Sequence, residues 1–172
     1  MALNPPVTEA DHIQGNPDAE IELVEYGDYQ CPHCGRAYPI IKDLQEKLGD
    51  RMKFVFRNFP LEKIHPQAMQ AAIISEAAAL QGKYWEMHDL IFENQKRIRI
   101  DLMTYAEKLG LDLEKFNQDL LSSDLQEKVK ADFYSGMRSG VNATPSFYVN
   151  GQKFEGNWEG PELLEFISTI II

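Results

Sequence analysis

Cys31-Pro32-His33-Cys34 brings two thiols together around a Pro-His spacer, and these are the only cysteines in the 172-residue chain. A Cys-x-x-Cys pair can close and reopen a disulfide, so the chemistry it suggests is thiol–disulfide exchange. Exchange needs a thiolate as nucleophile. The start of a helix supplies one, because its unpaired N–H groups and its dipole favour negative charge. Cys31 is then expected to be the exposed attacking sulfur, and Cys34, one turn on, the more buried resolving sulfur. His33 is expected to stabilise the anion, either protonated or as an N–H donor. A structural bridge is a poor alternative, since a two-residue spacer closes too small a loop to restrict the unfolded chain much. A zinc site would want four ligands, and His12, His65 and His88 are scattered.

Two further residues stand out. In Ile21-Glu22-Leu23-Val24-Glu25-Tyr26, alternation places Glu25 on the face of Ile21 and Leu23. Buried there, it could exchange a proton with Cys34; the other reading has it reach solvent at the strand end. Thr144-Pro145 precedes the apolar run Ser146-Phe147-Tyr148-Val149, where proline fits a first strand position. Base rates alone favour a trans bond.

The elements that must position these residues follow from periodicity. Residues 1–19 read as extended and loop-rich, with Asn4-Pro5-Pro6 and Asn16-Pro17. Residues 20–26 read as a strand. Ala37, Ile40, Ile41, Leu44 and Leu48 recur at helical spacing, with Pro39 inside the pattern and Gly49 at its end. Met52–Arg57 reads as a second strand, giving a β-α-β unit that normally pairs in parallel. From about 65 to 139 the period is helical. His65-Pro66 opens an alanine-rich helix, and Ser123-x-x-Gln126 has the form of a capping box. Trp85, Met87, His88 and Phe92 read as core at helical spacing. Asn150-Gly151 between two strand-like runs predicts a hairpin, and Gly160-Pro161 starts a last helix. Arg51, Lys53 and Arg57 read as solvated, and Trp158 as either lining a groove or capping the core. The tail Ile167-Ser168-Thr169-Ile170-Ile171-Ile172 reads as helix-end packing or a truncation point.

The net charge of −10 disfavours a nucleic-acid surface. The apolar runs are too short to span a bilayer. No early stretch pairs basic residues with a long apolar run, so a cytoplasmic location is expected, or a periplasmic one if a leader has been removed.

Cys31-Pro32-His33-Cys34, Glu25, Pro39 and Gly140-Val141-Asn142-Ala143-Thr144-Pro145-Ser146-Phe147-Tyr148-Val149-Asn150-Gly151 together resemble DsbA-like thioredoxin-fold oxidoreductases. The likeness runs from about Asp11 to Ile167. It implies an α/β thioredoxin-like fold interrupted by an all-helical insertion. Residues 1–63 would hold an N-terminal extension and the β-α-β half, 64–139 the insertion, and 140–172 the β-β-α half. It also implies a cis Thr144-Pro145 bond beside Cys31, with Thr144 pairing an extended substrate segment. It assigns Glu25 to the buried-acid position and Pro39 to the proline that kinks the active-site helix. Ala143 departs from the glycine many relatives carry before Thr-Pro.

The expected function is disulfide exchange with cysteine-containing proteins, through catalytic Cys31, Cys34, His33, Pro32 and Glu25 and substrate-binding Thr144 and Pro145. No bound cofactor or metal is expected, because the cysteine pair carries the electrons. A redox partner would recycle the pair, and a monomer is expected. The alternatives are a cytosolic dithiol reductase or glutathione-linked transferase on the same fold, and, from another class, a non-catalytic peptide- or metal-binding module.

Overall fold

The computed structural model describes residues 1–171, apart from the side chains of residues 99–101; Ile172, the last residue of the apolar tail, lies outside the described residues. Five strands form one sheet: β1 (His12–Gly15), β2 (Ile21–Gly27), β3 (Met52–Asn58), β4 (Ser146–Val149) and β5 (Gln152–Phe154), in the order β1-β3-β2-β4-β5. β2 and β3 run parallel, as the β-α-β reading requires, and the other pairs are antiparallel. Strand β1 is a correction, because it falls within the segment read as loop. Its four residues are too few to reveal a period, and only pairing along β3 makes them a strand.

Helix α1 (Pro32–Leu48) joins β2 to β3. Pro32 suits its first position, where no N–H is needed. Between β3 and β4 lie α2 (Ala68–Ala79), α3 (Tyr84–Glu93), α4 (Ile98–Lys108), α5 (Leu113–Leu121) and α6 (Ser123–Ser139), and α7 (Glu162–Ile170) closes the order. Helix α2 begins at Ala68 rather than at His65, whose ring is drawn into the contact with Asp28 described below. The cap of α6 is Ser122, one residue before the expected Ser123, with its hydroxyl accepting from the Asp124 N–H at 3.2 Å. Gly140, in the left-handed region at φ 87°, ends that helix. Asn150 and Gly151 both take positive φ, as the β4–β5 hairpin demands.

Both sheet faces are covered. Ile21, Leu23, Phe54 and Phe56 pack under Ala37, Ile41 and Leu44 of α1 in a core that continues into the inserted helices. Val24, Tyr26, Val55 and Tyr148 face the other way, against Leu3, Phe59, Val141 and Phe133. Met87, His88 and Phe92 are buried as expected, and Trp158 packs against the core beside Phe147.

Arg57 corrects the reading of the basic residues. It is 3% exposed. Its guanidinium meets Asp11 at 2.8 and 3.0 Å, the carbonyls of Pro5 and Pro6, and the Tyr26 hydroxyl. A rigid fork of donors finds an acceptor for each of its nitrogens here. The arginine pins the N-terminal segment to the sheet.

Candidate active site

Strand β2 ends at Gly27, and Asp28-Tyr29-Gln30 carries the chain to Cys31, the N-cap of α1. Every residue of this turn is fastened to the segment after β3. One Asp28 carboxylate oxygen accepts the N–H groups of Gln30 (2.7 Å) and Cys31 (3.2 Å). The other accepts from Leu61 N–H (2.9 Å) and His65 Nδ1 (2.8 Å). The Tyr29 hydroxyl meets His88 Nδ1 at 2.9 Å and the Tyr84 hydroxyl at 3.1 Å. Gln30 Oε1 accepts the Gln67 N–H at 2.7 Å. Gln95 Nε2 donates to the carbonyls of Tyr29 (3.0 Å) and Cys31 (2.7 Å). Sequence reasoning missed Asp28 and Gln95. An aspartate three residues before a helix start was the available signal for the first; nothing local pointed to the second.

Both cysteines are free thiols. Cys31 is 3% exposed and Cys34 1%, which corrects the expectation of an exposed attacking sulfur. Cys31 is folded in beside the loop before β4, with Sγ 3.7 Å from the Thr144 carbonyl. The two sites still differ, since fewer atoms enclose Cys31 than Cys34. Their proton affinities diverge sharply. The Cys31 thiol is lowered from an ordinary 9.0 to about 5, chiefly by the hydrogen bond from the Cys34 thiol. Burial opposes the shift, while the Thr144 hydroxyl and the N–H groups of Cys34 and His33 add to it. Cys34 is pushed well above its ordinary value by burial first, then by donating to Cys31 and by the nearby charge of Glu25.

The His33 imidazole is exposed, and its Nδ1 accepts from the Arg36 guanidinium at 2.5 Å. What position 33 gives the sulfur is its backbone N–H, because one turn of helix aims main-chain donors at the cap and side chains outward.

Glu25 takes the buried alternative. It is 3% exposed, pairs in register with Phe56 and Phe147, and leaves Oε1 without a hydrogen-bond partner. Burial, and then the Cys31 charge, raise it from 4.5 to about 8. The Thr144-Pro145 bond is cis, with Thr144 buried at the cysteines and β4 starting one residue later. Pro39 sits within α1. Beside the motif, a groove of about 600 Å³ runs between Pro32, Gly35 and Arg36 on one side and Phe92 and Gln95 on the other. Among the described residues, no group of three or more His, Cys, Asp or Glu side chains is placed to hold a metal ion.

A profile described as thioredoxin matches residues 7–169. The solved structure of BdbD from Bacillus subtilis, in its oxidised form, superposes with a TM-score of 0.82 at 25% identity, covering 96% of this chain and 95% of that one. A thioredoxin-like oxidoreductase from Silicibacter pomeroyi DSS-3 gives a TM-score of 0.79 at 25% identity, covering 94% and 92%. Among curated proteins, the Na(+)/H(+) antiporter NhaA 1 of Mycobacterium sp. (strain KMS) is 42% identical over 165 residues, 94% of this chain but 27% of the relative. The chain thus spans about a quarter of the length of such relatives. No helix among the described residues is long and apolar enough to cross a membrane. The antiporter name therefore describes much longer chains that share this segment. The chain belongs to the thioredoxin family, in the DsbA-like form that carries helices between its third and fourth strands.

Proposed function

We propose that this chain is a thiol–disulfide oxidoreductase acting on cysteine-containing proteins. One observation carries the reading: Cys31 and Cys34 are free thiols one turn apart at the start of α1, beside the cis Thr144-Pro145 bond, in surroundings that lower the Cys31 thiol to about 5 and push the Cys34 thiol up. One sulfur is thereby a ready nucleophile and good leaving group, while its neighbour keeps its proton until needed.

In the oxidising direction, a substrate thiolate attacks Cys31 Sγ of the Cys31–Cys34 disulfide. The S–S bond breaks, its electron pair goes to Cys34, and Cys34 takes a proton, with Glu25 as donor. A second substrate thiolate then attacks the substrate sulfur of the mixed disulfide. The substrate leaves oxidised and Cys31 leaves as the thiolate. In the reducing direction Glu25 accepts the Cys34 proton as Cys34 attacks. Thr144 and Pro145 orient the extended substrate segment beside Cys31, and Pro32 sets the first turn of α1. The position-33 N–H, rather than its imidazole, supports the anion. Stabilising the thiolate favours the reduced pair, so the protein is read as an oxidant with a potential above about −270 mV. The cysteines carry the electrons without a bound cofactor, and a separate redox partner resets them.

The test is Cys34→Ser expressed in cells. Mixed disulfides to proteins through Cys31, absent when Cys31 is also replaced, are the expected result. Partner binding that survives Cys31→Ser, with no trapped adduct, would instead identify a non-catalytic binding module. Activity that tolerates loss of Cys34 and depends on glutathione would identify a transferase.

A further inference from the structure

Gln95 lies 64 residues beyond Cys31, in the short turn between α3 and α4, yet its amide reaches the active-site turn. Its two N–H bonds match the two carbonyls it meets, Tyr29 at 3.0 Å and Cys31 at 2.7 Å. The Cys31 carbonyl also accepts the Gly35 N–H at 3.1 Å, the first hydrogen bond of α1. The amide thus closes the cap from outside, at the residue whose sulfur reacts. The space for it exists because position 35 is glycine. A methyl group there would collide with Gln95 Oε1 and come within 2.9 Å of its Cδ. Gly35 has an ordinary helical conformation. Its missing side chain therefore answers to Gln95 rather than to backbone geometry.

We infer that Gln95 and Gly35 form a clamp in which the inserted helices position the Cys31 carbonyl, and with it the reactive sulfur, so that Gln95 is a positioning residue for thiol–disulfide exchange. This rests on the oxidoreductase reading. The clamp turns the positive end of the amide dipole toward the cap, which favours the reduced, anionic state of Cys31. Losing it leaves the disulfide state relatively more stable.

The test is the equilibrium of the full chain with glutathione, in which one protein dithiol plus oxidised glutathione gives the protein disulfide plus two reduced glutathiones. It is read for wild type, Gln95→Ala, Gly35→Ala and the double variant. Each single variant should raise that equilibrium constant by about threefold or more. The double variant should be no worse than the stronger single, because both remove one contact. Gly35→Ala keeps the test open should Gln95→Ala fold poorly, since a helical alanine is favourable in itself. A constant unchanged in both singles, or fully additive effects in the double, overturns the clamp while leaving the oxidoreductase reading intact. A wild-type pair that does not equilibrate with glutathione overturns both.

Discussion

Asp28 holds Cys31 by the main chain: the carboxylate oxygen 3.2 Å from the Cys31 N–H belongs to a group whose other oxygen is 2.8 Å from His65. The aspartate is buried and serves donors on both sides of the site. Alanine at position 28 strands several N–H groups away from water and should cost about 2–4 kcal/mol of stability. Asparagine keeps one acceptor but turns its own amide donors on a donor partner, costing about 1–3 kcal/mol. Urea unfolding measures both losses. Cys31 alkylation should slow in parallel as the cap loosens.

Two ionisations a few side chains apart pull stability in opposite directions with pH. Glu25 titrates at about 8 when folded and at an ordinary 4.5 when not, so the folded state holds the extra proton. Its effect is to weaken the fold as pH rises from about 4.5 to 8. Cys31 titrates at about 5 folded and at 9.0 otherwise, so its contribution is complete above 9 and is lost as pH falls through 5. The reduced wild type should therefore show a nearly flat profile between these limits. Cys31→Ser should unmask a stability that falls with rising pH, and Glu25→Gln one that rises. Each slope should reach up to about 1.4 kcal/mol per pH unit. Denaturant midpoints of the reduced proteins at pH 5, 6.5 and 8 check the signs.

His33→Ala should leave most of the Cys31 acidity in place. The imidazole is engaged by Arg36, and alanine retains the backbone N–H that faces the sulfur. Thiolate absorbance should give a midpoint still below about 7, within the range of activated cysteines. A midpoint near an ordinary thiol would show that the ring itself holds the anion.

Arg57→Lys should be costly although charge is conserved. A lysine ammonium cannot serve Asp11, two proline carbonyls and the Tyr26 hydroxyl from one position. Leaving Asp11 imperfectly paired in the interior should cost about 3 kcal/mol or more. Thermal unfolding measures the loss. The glutathione equilibrium of the cysteines should stay unchanged, because the arginine's hydrogen bonds go to Asp11, Pro5, Pro6 and Tyr26 rather than to the cysteines.

The motif, the parallel β-α-β unit, the Asn150-Gly151 hairpin and the helical stretch were all legible, because each rests on local chemistry: a spacing, a period, a turn conformation. Glu25 was half legible. Alternation put it on the core face, but its burial also needs the neighbouring strands, where Phe56 and Phe147 stand in register with it. Cys31's burial and the interior place of Arg57 depend on groups 113 and 46 positions away, and no short window contains them; the His33 ring's partner, Arg36, stands only three residues on. The same holds for β1, a strand only by virtue of β3.

The fastening of residues 28–31 to sites as far along as Gln95 has a consequence for transplanting this chemistry. Grafted onto another scaffold, the tetrapeptide would bring its sulfurs and leave behind the guy-lines that tension them. Reactivity here belongs to the rigging, and a faithful graft must carry the mast and stays together.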